Sequence, residues 1–178
     1  MPRCKKIVII GPESTGKSTL CEQLAQFYKT QWVPEYAREY LTGLGRPYNY
    51  EDLLIIAKGQ IEQEDRITDS VKTPLIFIDT DMYVMKVWCE FVFGKCHSFI
   101  LEEIVKRKYD AYLLCHTDLP WVADALREYP DLASRERLYH MYKDLMVNQS
   151  TTWIDIHGSY EERYQRAVSF TNVEKGKW

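Results

Sequence analysis

The stretch KIVIIGPESTGKST, Lys6 to Thr19, decides how the rest of the chain is read. Ile7 to Ile10 form a short apolar run that reads as a buried strand. It leads straight into Gly11-Pro12-Glu13-Ser14-Thr15-Gly16-Lys17-Ser18, the G-x-x-x-x-G-K-[ST] spacing of a phosphate-cradling loop. Glycines at both ends let backbone N–H groups turn inward on a triphosphate, where a side chain would block close approach or the positive φ the turn needs. Lys17 is then expected to meet the β- and γ-phosphates as a catalytic cation, and the Ser18 hydroxyl to ligate Mg²⁺. Thr19 opens an amphipathic helix carrying Leu20, Leu24, Phe27 and Tyr28, whose positive end points at the same anion. Gly11 through Thr19 are thus the expected nucleotide-binding set, with ATP and Mg²⁺ as cofactors. An ordinary Gly-Pro turn before a helix is the alternative.

The chain has 178 residues, a length for one domain spanning 1–178 with a sizeable core and no room for a second catalytic unit. A net charge of −3 provides no overall basic field for duplex nucleic acid, so no nucleic-acid partner is expected. Cys4, Cys21, Cys89, Cys96 and Cys115 are scattered, with no C-x-x-C pair and no histidine spacing suited to zinc, and read as reduced structural thiols. The amino-terminal apolar run is too short for a signal segment or a membrane span, so no membrane partner and a cytoplasmic location are expected.

Further strands are expected at Gln31 to Val33, Leu75 to Ile78, Ala111 to Cys115 and Thr152 to Ile156, with helical segments between them. Asn49, with Glu51 and Asp52 behind it, starts one helix, Met82 to Phe93 forms another, and Ser159 with Glu162 caps the last. Val122 to Gln149 reads as helix in two pieces broken at Pro130, and Val173 to Trp178 as a frayed tail. Strands alternating with helices imply a three-layer α/β phosphate-loop fold with a parallel five-stranded sheet, and a helical lid, about 118–149, between strands four and five.

In such sheets ligands gather at the carboxyl ends of the strands. Past the third strand, Asp79 and Asp81 would share a face if the extended backbone continued that far. Asp79 is expected to act with Ser18 in holding Mg²⁺. Glu35, past the second strand, is expected to accept or orient the acceptor proton, with Asp81 the runner-up; a plain helix start is the other reading of Glu35. Arg38 is its expected cationic neighbour. Arg127 is expected to close over a transferring phosphoryl group, with Arg135 and Arg137 open between that role and a solvated surface. Trp121, in a loop after a proline, is expected to stack on a substrate base, while Tyr83 and Trp88 at helical spacing read as core. Asp81 or Asp124 would hold ribose hydroxyls, and the backbone of Gly158-Ser159-Tyr160 after the fifth strand, Gly158 first, lies where kinases with such a loop commonly hold the adenine.

The chain lacks the N-K-x-D motif of a GTPase, and its third strand ends DTDM in place of a D-x-x-G switch, which leans to ATP. A small-molecule kinase and an ATP-driven switch acting on a macromolecule remain. GPESTGKSTL (Gly11 to Leu20), VPEYAREYL (Val33 to Leu41), IAKGQ with Glu64, FIDTD (Phe77 to Asp81), DLPWVADALR (Asp118 to Arg127) and the run Ile156 to Arg163 together resemble the ribosylnicotinamide kinase domain of bifunctional NAD-biosynthesis proteins, the NadR-like ATPase/kinase family. The resemblance covers nearly the whole chain. It implies ATP-dependent phosphorylation of the 5′-hydroxyl of nicotinamide riboside, giving nicotinamide mononucleotide, with a small-molecule nucleoside as partner. The H-x-G-H motif of the accompanying adenylyltransferase domain is absent, so the resemblance carries over the kinase activity alone, in a stand-alone form. Another nucleoside is the alternative acceptor.

Overall fold

The computed structural model describes residues 3–177. In chain order the elements are β1 (Lys5–Ile10), α1 (Lys17–Phe27), β2 (Trp32–Val33), α2 (Tyr36–Leu44), α3 (Tyr50–Ser70), β3 (Leu75–Asp79), α4 (Met82–Phe93), α5 (Ser98–Lys106), β4 (Ala111–Cys115), α6 (Leu132–Asn148), β5 (Trp153–Ile156) and α7 (Tyr160–Lys175). The five strands form one sheet in the order β2-β3-β1-β4-β5, and every pairing is parallel.

Strand periodicity sorts the core into layers. Ile7 and Ile9 of β1 pack with Leu20, Cys21 and Leu24 of α1 and Ala167 of α7 on one face. Val8 and Ile10 face the other way, against Val84 and Val87 of α4 and Leu138, Tyr142 and Met146 of α6. A third cluster joins Ala37, Leu53, Ile56, Met85 and Ile100 from α2, α3, α4 and α5 beyond the β3 side. This is the three-layer α/β arrangement the alternation of elements implies, with β1 central and the loop after it at the sheet's carboxyl edge.

Two expected elements differ. Val122 to Tyr129 is irregular chain with a single turn at Ala125 and Leu126, because Pro120 and Pro130 bracket it and the Asp124 carboxylate accepts the Leu126 N–H at 3.0 Å, a local turn that competes with helix. The helix between β4 and β5 therefore begins only at Leu132, where Asp131 caps Ser134 N–H. At the other end α7 continues through Lys175, held by buried Thr171 and Glu174, where fraying is expected from Val173; Trp178 lies outside the described residues.

Helix α3 is fixed at both its start and its middle. Asn49 and Asp52 form a reciprocal capping box, and Asp52 also accepts from Arg46 at 2.7 Å and from the Tyr40 hydroxyl at 2.7 Å. Further along, Gly59 passes under the Tyr36 ring so closely that a Cβ would fall 2.1 Å from a ring carbon. α2 and α3 can meet there only because the side chain is missing.

The Arg46 guanidinium beside Asp52 holds its carboxyl well below the usual carboxylate range. A depressed folded-state pKa means that this stabilisation is complete above the unfolded value of about 4 and is lost as pH falls below it. Asp52→Asn should accordingly be less stable than the wild type at pH 6 by urea unfolding, with the gap shrinking progressively below about pH 4.

Candidate active site

Residues Gly11 to Thr19 all line a cavity of about 180 Å³ at the carboxyl edge of the sheet. The loop crosses β4 at very short range: a Cβ on Gly11, where φ is 140°, would lie 2.6 Å from the Cys115 carbonyl oxygen. Ser14 takes φ 58° and Gly16 φ 79°, the left-handed turns that aim successive N–H groups to one side. Gly16 caps α1 without a side chain, so the first-turn N–H groups meet no side-chain cap of their own. Thr15 Oγ1 donates to the Pro12 carbonyl at 2.7 Å, and Lys17 Nζ folds back on the same oxygen at 2.9 Å.

At the end of β3, Asp79 is wholly buried and accepts the Ser18 hydroxyl at 2.5 Å. Burial, and next the nearby Glu35 carboxylate, raise its pKa, with Lys17 opposing. Glu35 sits at the start of α2 with no cap bond from its side chain and lines the same cavity. What holds the two acids in register is Gln60, a buried α3 residue that sequence reasoning passed over. Its amide donates to the Pro34 carbonyl at 3.3 Å and to the Asp79 carbonyl at 3.4 Å, while its oxygen accepts Tyr36 N–H at 2.7 Å. The signal was present as the IAKGQ segment, but a glutamine on a helix face shows no periodicity.

The segment after β4 closes one side. Ser14 Oγ accepts Val122 N–H at 3.0 Å, and the Glu13 carboxylate accepts Glu128 N–H at 2.9 Å and Tyr129 N–H at 2.5 Å. Arg38 Nη1 reaches Asp124 at 3.1 Å, and the Tyr48 hydroxyl donates to Glu128 at 2.7 Å. Arg127 lines the cavity with its guanidinium on the Val122 carbonyl at 2.5 Å. Opposite, Val84, Trp88 and Phe91 of α4, at helical spacing, join Tyr129, Leu138 and Tyr142 as a largely aromatic wall.

Several expected site residues lie elsewhere. Thr80 takes φ 79°, so the strand does not continue and Asp81 turns under Asp79. Its carboxylate caps α4 through Tyr83 N–H at 2.9 Å and accepts the Tyr112 hydroxyl at 2.9 Å; buried there, its pKa is pushed up to about 7. It is away from the cavity and in no position to be the base or a ribose ligand. Trp121 also stays off the cavity lining, under the Arg135 guanidinium at 5.5 Å from its ring centroid; Trp88 packs on the core, as periodicity implies, and contributes to the aromatic wall as well. Arg135 is buried, and its Nε and one Nη find no hydrogen-bond partner among the described residues. Arg137 lies over the Phe91 ring. Asp124 is engaged by Arg38, and among the described residues no ion pair joins Arg38 to Glu35. Gly158 N–H is taken by Asp118 at 2.6 Å, so it does not serve as a free donor for an adenine, and its carbonyl accepts Arg163 Nε at 2.8 Å.

Residues 6–163 match the family model described as AAA domain. The Trifunctional NAD biosynthesis/regulator protein NadR of Salmonella typhimurium (strain LT2) is 28% identical over 178 residues, covering 97% of this chain, which spans only 43% of that relative's length. A NadR protein solved in complex with NR superimposes at TM-score 0.81 with 22% identity over 97% of this chain and 50% of its own, and one with NAD and AMP-PNP at 0.79 with 22% identity over 97% and 49%. The thymidylate kinase of Candida albicans shares the fold at TM-score 0.69 and 16% identity, over 97% of this chain and 93% of its own. Among the described residues no helix is long and apolar enough to cross a membrane.

Because Glu13 alone bonds the Glu128 and Tyr129 amides to the phosphate loop, Glu13→Ala should speed hydrogen exchange at those two amides about tenfold while leaving α1 protected. Unchanged exchange there would mean that Arg38 and Tyr48 suffice to hold the segment.

Proposed function

The chain belongs to the AAA-domain family, and from that premise we propose that it is an ATP-dependent kinase acting on the 5′-hydroxyl of a ribonucleoside, nicotinamide riboside before others. The observation that carries this reading is a cavity lined by a phosphate loop and by a Glu35 carboxylate with no capping duty, with the buried Asp79 held behind the lining by its hydrogen bond from Ser18. The likeness to a regulator of NAD biosynthesis, and to NadR solved with NR and with AMP-PNP, supports the same acceptor and donor.

The steps follow from the side chains. The triphosphate settles on the N–H groups of the loop, and Lys17 leaves the Pro12 carbonyl for the β- and γ-phosphates. Ser18 and Asp79 present hard oxygen donors of the kind Mg²⁺ takes with phosphate oxygens and waters, and bound there it neutralises charge on the β- and γ-phosphates. The nucleoside base packs on the wall of Trp88, Phe91, Tyr129 and Tyr142, where a cationic pyridinium ring gains from the aromatic faces. Glu35 accepts the proton of the 5′-hydroxyl as its oxygen bonds to the γ-phosphorus, the bond from that phosphorus to the β–γ bridging oxygen breaks, and ADP leaves. Arg127, at the rim, supplies positive charge over the transferring group once freed from Val122.

Incubation with Mg-ATP and a panel of nucleosides, read by mass spectrometry, should show a phosphate mass gain on nicotinamide riboside. ATP hydrolysis indifferent to every nucleoside would instead point to a regulatory ATPase. Lys17→Ala should abolish transfer with the fold retained. Glu35→Gln should lower kcat by about 10²–10⁴-fold with ATP binding intact, whereas Asp79→Asn should weaken kcat and the Mg²⁺ dependence together. A Glu35→Gln enzyme with normal turnover would remove Glu35 from the chemistry.

A further inference from the structure

Arg163 is a cation in the first turn of α7, where the helix dipole disfavours positive charge, and it is only 3% exposed. A buried guanidinium in such a place needs strong compensation. Nε donates to the Gly158 carbonyl at 2.8 Å, one Nη to the Thr15 carbonyl at 3.0 Å, the other to the His116 carbonyl at 2.9 Å and to the Asp118 carboxylate. Three backbone carbonyls from three separate places, the phosphate loop and the ends of β4 and β5, thus converge on one side chain.

The bond to Thr15 is the informative one. The Thr15–Gly16 peptide is trans, so its C=O and N–H point in opposite directions. A guanidinium gripping the carbonyl from behind the loop therefore fixes where the Gly16 N–H points. It also polarises that peptide, since a charged donor on the oxygen strengthens the donor at the nitrogen. We propose that Arg163 is a positioning residue of the nucleotide site: it aims the Gly16 N–H and gives the phosphate loop a second positive charge after Lys17, delivered through a peptide group and without touching the ligand. Asp118 fixes the guanidinium from its far side and, through Gly158 N–H, holds the loop after β5 in the same frame.

This rests on the reading of the loop as an ATP site, and calorimetry on the full chain separates the two. Binding of ADP with Mg²⁺ and of nicotinamide riboside is measured for the wild type, Arg163→Gln and Arg163→Lys, with thermal melting of each. Arg163→Gln should bind ADP about tenfold or more weakly, with nicotinamide riboside affinity within about twofold of wild type. Arg163→Lys keeps the charge but not the fork that reaches several acceptors, and should lose less than the glutamine variant. Should Arg163→Gln fail to fold, a selective loss of ADP affinity in Arg163→Lys still supports the inference. Equal losses for ADP and riboside, or a lowered melting point with ADP affinity unchanged, overturn it in favour of a purely structural arginine. A wild type that binds no ADP overturns the ATP reading itself, and the inference with it.

Discussion

The hydrogen bond from Ser18 Oγ to Asp79 Oδ2 joins the first turn of α1 to the last residue of β3 across 61 positions of sequence. It can form because β1 and β3 are neighbours with Ile9 opposite Asp79, so that the loop leaving β1 and the acid ending β3 arrive at the same height. That register is in turn held by strands buried on both faces, where a shift of one residue would exchange Ile7 and Ile9 for Val8 and Ile10 between layers of different shape. Core packing and site geometry are here one constraint, since the apolar alternation that fills the layers also sets the position of the Asp79 carboxylate behind the phosphate loop.

Around that bond the cavity gathers charge that water would otherwise hold. Asp79 is buried beside Glu35, and Glu13 is desolvated enough to shift its own pKa upward while accepting two backbone N–H groups. Each acid has a separate structural reason for being there. Glu13 ties the segment after β4, Glu35 is carried by the start of α2, and Asp79 ends a strand. Lys17, parked on the Pro12 carbonyl, is the mobile cation among them, with a long side chain that can exchange a neutral acceptor for a charged one at little cost.

The phosphate loop, the strands, the capping boxes and the parallel layers were legible because each is written within a few adjacent residues: a fixed glycine spacing, an apolar run, an Asn49 or Ser159 three positions before an acid. The residues misread all depend on a bend or a distant partner. Asp81 was placed by a period of two that Thr80 breaks with a left-handed backbone, a conformation a threonine does not advertise. Trp121 was read as a stacking residue because a loop aromatic looks free, until Arg135 of α6 is folded over it; Trp88 packs on the core as its helical spacing implies and also lines the cavity, a second role that spacing does not show. Gly158 looked available because its partners, Asp118 and Arg163, lie 40 residues before and five after. Gln60 was silent for the same reason, since its three hydrogen-bond partners come from the connection after β2, the first residue of α2 and the end of β3, which only the fold brings together.

The contact between Gly59 and the Tyr36 ring ties the cavity to the packing of α3 on α2. Judged on helix propensity alone, alanine at position 59 looks like an improvement of about 1 kcal/mol. Its methyl group would have to displace Tyr36, the residue next to Glu35, whose amide Gln60 holds. The helix propensity that alanine would add is thus set against the place of the ring it would push, and with the ring goes the direction of a carboxylate one residue before it.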